Sequence, residues 1–345
     1  MSQESPLVTL IVTPRERFSV CVDSLNSIVS HTVYPHRLIY IDGGTPTHLS
    51  SEIAQVCETA GYEHVRMNRF LSPNEARNIG VRMATTDYVV FVDNDVIVSE
   101  GWLGALIDCA AETRADVVAP LTCQKLPLHT EIHQAGGLFA DDHRKFFSLP
   151  PSERRITDIH VAQGQKVAET PLERGEAQCC EFHCALVRRD SFERFGMLDE
   201  KLLATKEHID FCMTVWSQGG LVMFEPKSVV TYLFPSRDRP LQAFDRRYFA
   251  LRWSPTWQRR SLERFRKKWQ LDHDPYFEKR DAILSWRHSE GLAKPIVKKI
   301  PFASKSYRLK MFLEKGLSWC FNVWSRSLAS QYEKARNSAA ANENA

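Results

Sequence analysis

Tyr88-Val89-Val90-Phe91-Val92-Asp93-Asn94-Asp95 is the stretch that decides the fold. An apolar, β-rich run that stops abruptly at two acids predicts a buried strand ending in carboxylates at the solvent boundary. In an open α/β sheet the ligand crevice lies outside the carboxyl ends of the strands, so acids at such a tip face a substrate. Mg²⁺ and Mn²⁺ favour oxygen ligands and bind through one or two carboxylates plus substrate phosphates. Asp93 and Asp95 therefore suggest a divalent ion bridging a diphosphate.

Moving upstream, Leu71-Ser72-Pro73-Asn74-Glu75-Ala76-Arg77-Asn78-Ile79-Gly80 reads as a helix start. Ser72 is the N-cap, Pro73 takes the first helical position and Glu75 closes a capping box. Arg77 falls within the first two turns. A helix N-terminus facing the crevice favours anions, and a guanidinium there adds a fork for phosphate or a uracil-like carbonyl edge. The plainer reading of Arg77 is a solvated surface arginine.

The N-terminal stretch repeats the pattern. Leu7-Val8-Thr9-Leu10-Ile11-Val12 is a short strand that stops at Thr13-Pro14-Arg15-Glu16-Arg17, after which Phe18, Cys21, Val22, Leu25 and Ile28 recur at helical spacing. Arg37-Leu38-Ile39-Tyr40-Ile41 leads into Asp42-Gly43-Gly44, a second strand ending in an acid and a flexible turn. A helix from Glu52 to Ala60 and a short strand around Val65 follow. Strands alternating with helices predict βαβ units and a largely parallel sheet with right-handed crossovers.

The ordered motifs Thr13-Pro14-Arg15, Asp42-Gly43-Gly44, Asn74-x-x-Arg77-Asn78-x-Gly80 and Asp93-x-Asp95 resemble the inverting GT-A glycosyltransferases of family 2. Leu186-Val187-Arg188-Arg189-Asp190-Ser191-Phe192 with Phe195-Gly196-Met197-Leu198-Asp199-Glu200 is similar to the family's segment R-R-x-x-F-x-x-x-G-x-(F/L)-D-E, and the likeness covers roughly residues 7 to 235. It implies a Rossmann-like α/β core and transfer of a sugar from a nucleotide diphosphate-sugar to an acceptor hydroxyl with inversion. It also implies that Thr13 and Arg15 line the nucleotide pocket, that Asp42 accepts from the base and that Arg77 contacts the nucleotide. Asp93 would lie near the ribose and the cation, and Asp95 would bind the cation, Mn²⁺ or Mg²⁺.

Lys206-Glu207-His208-Ile209-Asp210 sits where the family usually has E-D-x-D, whose second residue commonly serves as base; here that residue is His208. With an unperturbed pKa of about 6.5, histidine suits the task. Thr205 is a candidate cap for a helix carrying Ile209, Cys212, Met213 and Trp216 on its apolar face, which puts His208 in the first turn, where the helix dipole favours neutral imidazole. Glu207 and Asp210 are the alternative bases. Val229-Val230-Thr231-Tyr232 lacks the late histidine with which many relatives help ligate the metal.

The 345 residues divide into an expected catalytic domain over 1–235, a helical extension over 236–330 and a disordered polar tail over 331–345. Nine cysteines, an odd number without a C-x-x-C pair, indicate neither a disulfide framework nor a four-thiolate zinc site. Cys179, Cys180, His183 and Cys184 form a cluster whose tight spacing reads as strand packing. Met1-Ser2-Gln3-Glu4-Ser5 carries no leader signal and no segment reaches the ~18 apolar residues of a membrane span, so the expected location is cytoplasmic.

The C-terminal third is basic. Residues 241–345 hold 22 Lys and Arg against 10 Asp and Glu, whereas residues 1–240 hold 23 against 32. In a candidate helix from Ser306 to Leu328, Leu309, Phe312, Leu313, Leu317, Trp319, Cys320, Val323 and Trp324 gather on one side, with Glu314, Lys315, Ser318, Asn322, Ser325 and Arg326 on the other. Such a helix could dock on its own catalytic domain, lie peripherally on an anionic membrane at its inner face, or grip a nucleic acid; no recognised nucleic-acid module accompanies it.

The expected partners are thus a nucleotide-sugar donor and an acceptor, either a glycan, a lipid-linked molecule or another hydroxyl compound. A catalytically silent nucleotide-sugar binding or scaffold protein is the alternative. A dinucleotide oxidoreductase is disfavoured because Thr13-Pro14-Arg15 stands where G-x-G-x-x-G would be required.

Overall fold

The computed structural model describes residues 7–236, 239–303 and 306–343. The opening Met1–Ser5 and the last two residues of the expected tail lie outside the described residues. The strands in chain order are β1 Val8–Thr13, β2 Arg37–Gly43, β3 Glu63–Met67, β4 Tyr88–Asp93, β5 Val96–Val98, β6 Val117–Gln124, β7 Glu131–Gln134, β8 Gly137–Leu138, β9 Ile159–His160, β10 Gly175–Glu176, β11 Cys184–Arg188 and β12 Val222–Tyr232. Interleaved helices are α1 Cys21–His31, α2 Thr47–Ala60, α3 Pro73–Met83, α4 Trp102–Thr113, α5 His143–Phe146, α6 Asp190–Phe195 and α7 Glu207–Ser217. After the last strand come α8 Asp245–Arg252, α9 Pro255–Trp269, α10 Tyr276–Asp281, α11 Trp286–His288, α12 Lys294–Val297 and α13 Tyr307–Glu343.

The main sheet runs β10-β12-β6-β11-β4-β1-β2-β3, with β5 on β12 and β7 on β6. β3, β2, β1 and β4 are parallel, β11 is antiparallel between β4 and β6, and β6 and β12 are again parallel. Alternate residues feed two cores: Val90 and Val92 join Leu25, Ile28 and Trp102 on one face, while Val89 and Phe91 join Ala76, Phe192 and Ile209 on the other. Burial on both faces explains why these strands read as continuous apolar runs.

Local signals land where expected on the N-terminal side. α3 begins at Pro73, and the Glu75 carboxylate accepts from the Ser72 backbone N–H at 3.2 Å. Gly80 lets this helix lie directly on β1, since a Cβ there would sit 2.4 Å from Ile11 Cγ2. α2 starts at Thr47, earlier than the expected Glu52.

The C-terminal third is not a separate body. Leu262, Phe265 and Trp269 of α9 belong to the core cluster that also holds Ile11 and Phe91. α13 runs through Glu343, so the segment expected to be a disordered tail from 331 is helical, held by Tyr332 Oη on Glu75 at 2.8 Å and Arg336 on Glu200 at 2.7 Å. Composition could not show this, because the partners are about 140 to 260 residues away in sequence.

Candidate active site

Strand order reverses between β1 and β4, which is where an open sheet leaves a crevice beyond its strand ends. Thr13 and Asp93 are register partners at that point, and the Asn94 N–H donates to the Thr13 carbonyl at 2.8 Å. The Asn94 side chain accepts from the Arg15 N–H and donates to the Arg17 carbonyl, both at 3.0 Å. The middle residue of the acidic triplet therefore staples the loop that carries Arg15, a part that no sequence signal gave it.

Asp93 is fully paired. Its Oδ1 accepts from Arg77 Nη2 at 2.8 Å, and its Oδ2 lies 3.0 Å from His183 Nδ1 and 3.3 Å from Arg15 Nε. Burial opposes ionisation, yet Arg77, His183 and Arg15 hold this carboxyl below its usual range. Asp95 is the opposite case: both its oxygens are buried and find no hydrogen-bond partner among the described residues. Burial, then the nearby Asp93 and Glu16, push its pKa well above the ordinary carboxylate value. A buried unpartnered carboxylate is costly, and a cation beside it removes that cost.

The donor atoms of Asp93, Asp95 and His183 all lie within 4.8 Å of one another. Two carboxylates and an imidazole suit Mn²⁺ or Mg²⁺, so the residues fit the expected ion. Nε2 of His183 faces Glu181 Oε2 at 2.6 Å, the carboxylate–histidine arrangement that orients a ligating imidazole. The imidazole pKa stands at about 9; burial lowers it, but Glu181 and Asp93 outweigh that. His183 stacks on Tyr232, ring centroids 3.9 Å apart, and Tyr232 belongs to the segment that lacks a late histidine. A histidine from the edge of β11 thus reaches the place that the sequence had left without one. The sequence reading missed it by grouping His183 with three cysteines, which are buried free thiols. No local signal marks it, because what brings it there is the antiparallel pairing of β11 with β4, Cys184 opposite Val92.

A cavity of about 560 Å³ opens beside this cluster, lined by Arg15, Glu181, His183, Lys206, Glu207, His208, Tyr232 and Trp253 among others. Glu207 Oε1 accepts from Arg15 at 3.1 Å and Arg252 at 3.0 Å, while its Oε2 is buried without a partner among the described residues. His208 forms no hydrogen bond among the described residues and packs its ring against Phe182. Burial pushes its pKa down to about 4. Arg15 lies over the Trp253 ring at 5.7 Å; burial lowers its pKa, but Glu207 and Asp93 more than reverse that.

Three expectations need correction. Asp210 does not line the cavity: two residues beyond His208 it lies about 200° round the helix, bound to Lys268 Nζ at 2.7 Å and Trp269 Nε1 at 2.8 Å. Thr205 does not cap α7; Lys206 occupies that position with φ of 70° and turns its ammonium to Asp158. Arg77 is neither a surface residue nor open to the crevice, since its guanidinium lies between the Phe91 and Phe182 rings and on Asp93 and the Phe182 carbonyl.

The structure brings Thr13, Arg15, Asp93, Asp95, Glu207 and His208 into one region. Asp42 stands at the neighbouring end of β2, its carboxylate engaged by Ser50, His64, Arg66 and the Thr45 N–H. Burial opposes ionisation there too, but those hydrogen bonds keep it charged.

Comparisons with known proteins agree with this architecture. The chain is 31% identical over 199 residues to the pre-mycofactocin glycosyltransferase of Mycobacterium tuberculosis, covering 57% of this chain and 37% of that one. It is 28% identical over 177 residues to polypeptide N-acetylgalactosaminyltransferase 15 of Mus musculus, covering 50% of this chain and 26% of that one. The chain thus spans well under half the length of these curated relatives. A crystal structure of GalNAc-T7 with UDP, GalNAc and Mn²⁺ superposes with a TM-score of 0.53 at 16% identity, over 87% of this chain and 59% of that one, and so shares the GT-A fold. The model of glycosyl transferase family 2 matches residues 10–196, more than half of the sequence, and the chain belongs to that family.

Proposed function

We propose that this chain transfers a sugar from a nucleoside diphosphate-sugar to an acceptor hydroxyl, with inversion and with help from Mn²⁺ or Mg²⁺. The observation that carries the reading is Asp95, a buried carboxylate beside Asp93 and His183 whose two oxygens lack partners among the described residues. Asp93, Asp95 and His183 would hold the ion, which when bound would supply positive charge against the departing diphosphate. UDP and Mn²⁺ in the similarly folded GalNAc-T7 support that donor class.

Thr13 and Arg15 line the nucleotide side and Asp42 takes the base. Arg77 acts at one remove, fixing the Asp93 carboxylate. Neutral His208 accepts the proton of the acceptor hydroxyl while that oxygen bonds the anomeric carbon and the bond from carbon to diphosphate breaks. Glu207, shared by Arg15 and Arg252, holds the cavity wall in place.

The exposed face of α13 is read as a docking surface for an anionic bilayer, which would put the protein peripherally at the inner face of a membrane. Phe312 and Trp319 are 74% and 67% exposed among Arg308, Lys310 and Lys315. No described helix is long and apolar enough to cross a membrane.

Asp95→Asn tests the central claim. It should abolish Mn²⁺-dependent stabilisation by nucleotide-sugars in a thermal-shift screen and slow transfer about a hundredfold or more. Unchanged product formation would overturn the reading.

A further inference from the structure

A second group of ligand-type side chains lies on the wall of the same cavity. His133 of β7, His160 at the end of β9 and Glu181 just before β11 present donor atoms within 4.8 Å of one another. The three come from elements far apart in sequence. A register irregularity between β6 and β7 leaves His133 between the paired residues Ile132 and Gln134, and bulges of this kind re-aim side chains near active sites. Glu181 is pinned by its N–H on Gln134 Oε1 at 2.7 Å.

The hydrogen bonds around His133 define which nitrogen is free. Gln124 donates its amide nitrogen to Glu131 at 2.8 Å, so its oxygen faces His133 Nδ1 at 3.2 Å. An oxygen there requires the imidazole proton on Nδ1. In the neutral ring Nε2 then carries a lone pair, and it points at Glu181 Oε2 from 3.1 Å. Two lone pairs facing each other repel unless a proton or a metal ion lies between them, and burial, which lowers the His133 pKa, disfavours the proton. His160 Nε2 approaches the other oxygen, Glu181 Oε1, at 3.5 Å. A proton on Nδ1 held by an amide carbonyl is the outer-shell support typical of a ligating histidine.

We infer that His133, His160 and Glu181 hold a second divalent transition-metal ion, distinct from the one assigned to Asp93, Asp95 and His183. Two imidazoles and one carboxylate form the ligand set of open catalytic zinc and related sites, with remaining positions left for an exogenous oxygen. Those positions face the cavity that holds His208, where an acceptor hydroxyl or anionic acceptor group could coordinate. Glu181 links the centres: its Oε2 lies on His183 and also faces His133, and its Oε1 turns toward His160. That use for the acceptor rests on the proposed transfer; the ion site itself does not.

The test is metal stoichiometry on the full chain. Chelator-treated protein is titrated with Zn²⁺ and with Co²⁺, bound ions are counted after dialysis, and the visible Co²⁺ bands report the ligand set. Wild type should bind two equivalents, and His160→Ala and His133→Ala one each, with loss of the Co²⁺ bands of the imidazole site. His160→Gln, which keeps the size and polarity of the side chain, guards against misfolding, and circular dichroism confirms the fold of each variant. Asp95→Asn should remove the other equivalent. If Asp95→Asn keeps two ions while His160→Gln loses one, the donor-site ion is refuted and the second site stands. If wild type binds one ion that Asp95→Asn abolishes, or if both histidine variants keep two, the second site is refuted and a proton fills the gap between His133 and Glu181.

Discussion

His208 carries the assignment that is easiest to break. Its ring lines the cavity without a hydrogen-bond partner among the described residues, and burial sets its pKa at about 4. A base must be unprotonated, so with the divalent ion kept saturating the acid limb that belongs to His208 should appear only as pH drops through about 4. A kcat/KM profile with its acid limb near the ordinary histidine value of about 6.5 would exclude this residue. His208→Ala should abolish transfer while nucleotide-sugar still raises the melting temperature; near-normal turnover would end the assignment. Neither rival acid is equally placed, because Glu207 is shared by two arginines and Asp210 is bound to α9.

Among the elements, α3 and α13 make opposite points. The start of α3 is encoded within four residues, Ser72 to Glu75, so its cap is legible without the fold. In α13 the sequence separates an apolar arc from a polar one but leaves open which of the two packs inward. Glu314, Asn322 and Ser325 from the polar side turn inward, with Asn322 bonded to His288 at 2.7 Å, while Phe312, Trp319 and Val323 from the apolar side face water. A wheel gives two faces, and only the partners decide which docks. Exposed aromatics next to cations predict that the protein floats with vesicles containing anionic lipid and that a Phe312→Ser/Trp319→Ser variant does not. Wild-type protein that stays at the bottom of the gradient would remove the membrane surface from the proposal.

At the scale of the molecule, the C-terminal third completes the catalytic half. Asp245 of α8 accepts from the Phe18 and Ser19 N–H groups at 2.7 and 3.0 Å, Trp253 bonds Glu16 at 2.7 Å, and Arg252 pairs with Glu207. Leu262, Phe265, Trp269 and Phe277 are also buried in the shared core. At about 1.5–3 kcal/mol per large apolar side chain, four of these rival a whole domain's net stability of about 5–15 kcal/mol. A chain cut after residue 236 should therefore fail to melt cooperatively and fail to bind nucleotide-sugars. A truncated protein that is monomeric by size exclusion and keeps a donor-induced shift would establish separable domains instead.

The sequence by itself determined whatever depends on neighbours along the chain. The buried strands ending in Thr13, Asp42 and Asp93 follow from apolar runs broken by polar turns, and the α/β class follows from their alternation with helices. Tertiary structure alone decided which side chains meet. It carried His183 beside Asp93 through the antiparallel pairing of β11 with β4, and it enclosed Arg77 between two phenylalanine rings. It also turned Asp210 away from the cavity and drew α13 back over α3. Those outcomes rest on contacts from about a dozen to hundreds of residues apart, for which no local periodicity or capping pattern leaves a mark.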